Sequence, residues 1–160
     1  MQQVNTEISS SANNYKVDEI DLFIQKNQKF YSKRFKKMKE TGKSISWNWA
    51  AFFFGVYWMV YRKMYFKAVA FFILSIVASS TPYIGILLNF AVMTGISIYA
   101  NALYLDDVEG KIKKIKVLYP HDKEKMIKKV GGVNMPFAVG IGVIHQLTGV
   151  IMVLLTLGIF

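Results

Sequence analysis

The distribution of charge and hydropathy predicts an all-α, small polytopic membrane protein. It has three transmembrane helices, a short re-entrant or interfacial aromatic helix, and amphipathic cytoplasmic helices. Three observations carry that prediction. Hydrophobic residues make up 53% of the 160-residue chain and concentrate after Ser46, whereas charges concentrate in 7–43 and 106–129. No charged residue occurs over 68–105 or over 130–160, and each run reaches the ~18–20 apolar residues that a bilayer-spanning helix needs. All 20 Lys and Arg residues fall in loops or at span edges, as expected where cytoplasmic loops are enriched in positive charge. That pattern accounts for the formal net charge of +10 better than counterion release from a phosphate backbone does, so no nucleic-acid partner is expected.

The elements follow in order. Residues 1–14 are Ser-, Asn- and Gln-rich and predict a disordered tail. Residues 15–45 predict a basic amphipathic cytoplasmic helix, capped by Asp18 with Asp21 in its first turn and stopped at Gly42. Ile20, Phe23, Ile24, Tyr31, Phe35 and Met38 recur along it at three- and four-residue spacing. That face fits an anionic membrane surface or another part of the same chain equally well.

A membrane domain, 46–160, follows. Within 46–63, the stretch from Trp47 to Tyr61 is 15 residues, about 22 Å as a helix against a hydrocarbon core of roughly 30 Å. Trp47 and Trp49 at one end, and Tyr57, Trp58, Tyr61 and Tyr65 at the other, suit the headgroup level. Ser46 or Asn48 supplies a cap and Gly55 permits a bend, so a dip into one leaflet fits better than a crossing. Residues 64–80 form the first span, with Lys67 able to snorkel. Ser79 to Pro82 makes a tight turn, and 83–105 returns as the second span. The basic cytoplasmic segment 106–132 starts a new helix at Asp106 and Asp107, breaks at Pro120, and carries a short second helix from Asp122 to Gly131-Gly132. Residues 134–160 form the third span, with Pro136 in its first turn.

Charge also orients the chain. Nine Lys/Arg precede Trp47, three lie at Arg62, Lys63 and Lys67, and eight lie over 111–129. All are cytoplasmic only if the aromatic segment does not cross, which places the N-terminus inside and the C-terminus outside. The N-terminus has no apolar core of a cleaved signal peptide, and no lipidation pattern is present.

The run SWNWAAFFFGVYWMVYRKMY resembles the signature of a family of small bacterial membrane proteins described as domain of unknown function 2628. A Lys- and aromatic-rich helix before it, a membrane hairpin after it and a basic segment ending in Gly131-Gly132 extend the resemblance over about 15–160. Val56 stands where the family carries proline. The resemblance implies an integral protein of the bacterial inner (cytoplasmic) membrane and implies no activity, substrate or catalytic residue.

Polar groups inside spans are the remaining candidates. Thr94, Ser97 and Asn101 share one face of the second span, and Asn89 lies on the same span. On the third, Ala138, Gly142, His145, Gly149, Met152 and Thr156 form a seam with Gln146 beside it. His145 has no carboxylate, Cys or second His within the spans, which favours helix packing over proton relay or metal binding. The chain has no Cys, excluding disulfides and thiolate chemistry. His121, Asp122 and Glu124 match no recognised ligand spacing. Arg62 and Lys63, flanked by Tyr61 and Tyr65, suit anionic lipid phosphates. No metal, cofactor or catalytic group is expected. The expected function is a non-enzymatic membrane interaction, scaffold or accessory protein, with anionic lipids and a membrane-protein partner or a second copy as partners. The alternative is a component of an oligomeric small-solute or ion transporter or channel.

Overall fold

Breaks at a few glycines, asparagines and two prolines divide the chain into helices, and no strand occurs among the described residues. The computed structural model describes residues 19–158. The expected tail over 1–14 and the Asp18 cap lie outside them. A helical segment, 19–24, leads to α1 (Gln28–Thr41), α2 (Trp49–Tyr61), α3 (Tyr65–Ser79), α4 (Gly85–Leu118), α5 (Lys123–Val130) and α6 (Met135–Thr156).

The helix expected over 15–45 is broken. Gln25 and Asn27 adopt left-handed conformations, with φ of 55° and 63°. The Gln28 side-chain Nε2 donates to the Asp21 carbonyl at 2.7 Å, and Ser32 hydrogen-bonds the Asp21 carboxylate. The break turns Phe23 and Ile24 onto the same core as Tyr31, Phe35 and Met38. Gly42 ends α1 at φ 66°, as expected.

The second expected span and the first basic helix are one rod rather than two helices. α4 runs 34 residues, about 51 Å, with Asp106 and Asp107 in mid-helix. No proline interrupts it before Pro120, and both carboxylates find cations, Lys67 and Lys111, each at 2.7 Å. Its buried stripe of Ser97, Asn101, Tyr104, Val108, Ile112 and Ile115 keeps helical spacing across that point.

The core has two halves on this rod. Segment 19–24, α1 and α5 pack around its C-terminal half, where Phe23, Ile24, Tyr31, Phe35, Tyr104, Val108 and Ile127 are all at most 3% exposed. The apolar face of the N-terminal region is therefore spent inside the protein, which decides between its two readings. α2 and α3 pack on the other half of the rod and on each other, and α6 packs on α2.

α4 and α6 are long and apolar enough to cross a membrane, while α3, at 15 residues, is shorter than such a helix. α6 begins with proline in its first turn, as expected, and Asn134 caps it by accepting from the Phe137 amide at 3.2 Å. Before it, Gly131 presses on segment 19–24. A Cβ there would lie 2.3 Å from the Phe23 carbonyl oxygen and 2.8 Å from that of Ile127, so only glycine fits.

Candidate functional site

α2 is attached at both ends to neighbouring levels of α4. At its start, the Ser46 and Asn48 amides donate to the Ile98 and Ser97 carbonyls, each at 3.0 Å. These are second bonds to helix carbonyls, whose two lone pairs allow it. The Asn48 side chain accepts from the Ala51 amide at 3.0 Å and donates to Asn101 at 2.9 Å. Asn101 in turn donates to the Ser46 carbonyl and hydroxyl.

At the far end of α2, Trp58 meets Tyr104 edge-on, with ring centroids 6.1 Å apart. The Lys111 ammonium donates to the Lys63 carbonyl at 2.8 Å. Between these ends the helix reaches along α4 to Phe90, where Phe52 makes an edge contact at 6.1 Å. From Asn101 back to Phe90 is about 16 Å along the rod, so α2 goes out and comes back. The return is made at Gly55, with φ 44° and ψ −114° inside the helix. That conformation is open to glycine, and a Cβ would also sit 3.1 Å from the Phe71 ring. The bend forms with Val56 in place of proline.

Several expected headgroup anchors lie inside the protein instead. Arg62 is 1% exposed. Its guanidinium lies over the rings of Tyr31, Tyr104 and Tyr61 at 4.4, 5.2 and 5.3 Å and donates to the Lys26 carbonyl at 3.1 Å. Enclosed this way it cannot reach a lipid phosphate, which corrects that expectation. The planar cation is held by π faces and one carbonyl, and its Nε has no partner among the described residues. Trp58 is also buried, while Trp47 and Tyr61 are half-buried and Trp49 and Tyr65 exposed. Lys63 donates to the carbonyls of Val130 and Gly131. Burial first, and the Lys111 charge second, hold its pKa below the ordinary lysine value.

The expected polar face on α4 separates into parts. Ser97 and Asn101 are fully buried under the start of α2, and Thr94 bonds the Phe90 carbonyl of its own helix. Asn89 donates to Ser79 at the α3–α4 turn, 2.7 Å away. On α6, Gly142 lies against the Tyr57 ring and His145 Nδ1 pairs with the Tyr57 hydroxyl. Gly149 has open space around it among the described residues. His145 and the Ser97/Asn101 pair are thus not brought together.

Tyr57, an aromatic expected at the headgroup level and outside the three expected spans, is instead a partner of His145. No local signal marks it as the partner of a residue 88 positions away. Between α3 and α6, floored by the bend of α2, lies an open apolar groove of about 1410 Å³. Val69, Phe72 and Ile76 form one wall, and Phe137, Ile141 and Ile144 the other.

Residues 13–109 match the family described as protein of unknown function, DUF2628. The match ends within α4, short of the 15–160 over which the resemblance was read. No curated protein and no solved structure matches the chain. With more than half of its length matched, including the whole of the kinked aromatic helix and its contacts with Ser97, Ile98, Asn101 and Tyr104 of α4, the chain belongs to the DUF2628 family of unknown function.

Proposed function

We propose that this chain is a multi-pass protein of the bacterial inner membrane that acts by holding other membrane components, lipids and protein helices, rather than by catalysis. In this reading α3 and α4 cross as a hairpin, α6 crosses as a third span, and α2 dips in and returns. The basic helical pack stays in the cytoplasm, with the N-terminus inside and the C-terminus outside. The short span of α3 is accommodated by local thinning and by Lys67 at its foot.

The observation that carries the reading is the exposure of α6. Its backbone packs on α2 alone among the described residues, and none of its most apolar stretch is buried within the chain. Ile144, Leu147, Ile151 and Leu155 are each more than half exposed. An apolar surface of that extent marks a membrane or protein contact. The return of α2 to its starting level supports the topology, because it leaves Arg62, Lys63 and Lys67 on the same side as the other cations.

Photo-crosslinking from Ile151 in native membranes tests the proposal. A defined protein adduct is expected, and a chain that stays monomeric and partnerless overturns the interaction role. Because the chain lacks native cysteines, single-cysteine labelling reads the topology directly. Labelling at the C-terminus from the cytoplasmic side only would overturn the orientation.

A further inference from the structure

The groove between α3 and α6 differs from a lipid-exposed helix face because it has two walls and a floor. It follows α3 from Tyr65 to Ser79 and Ser80, about 22 Å, and no Lys, Arg, Asp or Glu lines it. Its two ends are chemically unlike. The far end carries neutral groups, Ser79, Ser80 and Asn89. At the near end, Tyr65 accepts a hydrogen bond from the Asn134 side chain at 3.0 Å. Three residues before Asn134, the Gly131 carbonyl holds the Lys63 ammonium.

Lys111 bonds the carbonyl of that same Lys63, and Asp107 is the carboxylate paired with it. Asp107 is thus taken by Lys111, while the Lys63 ammonium rests on backbone carbonyls and has no carboxylate partner among the described residues, and repulsion from Lys111 contributes, after burial, to its lowered pKa. A long hydrocarbon slot that ends at surplus positive charge is complementary to an amphiphile with an anionic head.

We propose that this groove seats an acyl chain of an anionic phospholipid, with the phosphate drawn to Lys63 and to the Asn134–Tyr65 pair. The proposal rests on the membrane reading above and adds a ligand to it. The charge lies at one end only, so the lipid head takes the cytoplasmic side.

Native mass spectrometry of the full chain, released from a mild non-ionic detergent after titration with phosphatidylglycerol or phosphatidylcholine, tests this. Phosphatidylglycerol is expected to be retained about fivefold more strongly, the ratio that one basic side chain at a membrane surface supplies. Lys63→Gln removes that preference, whereas Lys37→Gln, an exposed lysine on α1, leaves it. Val69→Trp fills the groove from an exposed position and weakens retention of both lipids. Circular dichroism of each variant verifies wild-type helicity, and Phe72→Trp provides a second groove-filling change should Val69→Trp lose it. Equal retention of the two lipids, unchanged preference in Lys63→Gln, or wild-type retention in the folded groove-filled variant overturns the proposal. Alkaline carbonate extraction separates the two failures. A chain shed from membranes overturns both readings, and a chain that stays but retains no lipid overturns only the lipid seat.

Discussion

Asn48 and Asn101, far apart in sequence, bond through their side-chain amides at 2.9 Å while each is at most 2% exposed. The bond fixes where the aromatic helix starts on the long rod, and Asn101 also satisfies Ser46. Replacing Asn101 by Leu leaves the buried Asn48 amide without that partner, at a cost of about 1–3 kcal/mol. The expected result is a clear drop in thermal stability in detergent for Asn101→Leu. In a double-mutant cycle with Asn48→Ala, the two losses are expected not to add; simple additivity would contradict the coupling.

Gly55 holds the bend. Gly55→Ala imposes a side chain on a positive φ and presses it toward Phe71, an expected loss of about 1–3 kcal/mol. Phe71→Leu relieves the contact but not the torsion, so the double variant recovers only part of the stability. Full recovery would show that crowding, rather than backbone conformation, demands the glycine.

Arg62 is a cation enclosed by three tyrosines, with one carbonyl as its hydrogen-bond acceptor. Arg62→Ala leaves a cavity among Tyr31, Tyr61 and Tyr104 and is expected to cost about 2–4 kcal/mol. Arg62→Met fills most of that space without a buried charge and is expected to cost less. Arg62→Lys keeps the charge but loses the planar stacking, so it falls below Met. Unfolding midpoints ordered Lys above Met would mean that charge, not shape, is what the cage selects.

Lys63 gives a pH dependence of determined sign. Burial and then the Lys111 charge lower its folded pKa, so in the affected window the unfolded chain binds more protons and stability rises with pH. The charged Lys63 subtracts stability below its folded pKa, and this penalty fades as pH climbs toward the ordinary lysine value of about 10.4. The stability of the wild type relative to Lys63→Gln is therefore expected to improve across that window. A difference that stays flat or falls with pH contradicts the shift.

Local chemistry made much of the chain legible before any fold was known. Gly42 and the Gly131-Gly132 pair stop helices, Asn48 caps one, and Pro136 starts one, because these residues act on the backbone within a turn of themselves. The long uncharged runs needed no partner to be recognised either. Asp106 and Asp107 misled because acidic residues favour a helix start in isolation, whereas here cations from Lys67 and Lys111 let a helix pass through them. Gln25 and Asn27 hid a break because neither residue forbids a helix, and only the demand to bury Phe23 beside Tyr31 makes the turn pay.

The sequence by itself determined the helical class, the apolar stretches, the basic blocks and the aromatic segment with its bend, since each depends on composition or on near neighbours. Tertiary structure alone decided which surfaces those elements show. It put Arg62 inside a cage of tyrosines distant in sequence, closed Ser97 and Asn101 under the start of α2, gave His145 its partner in Tyr57, and left α6 bare beside an open groove. Burial and pairing depend on contacts made across the chain, and one chain position does not reveal which distant residue will cover it.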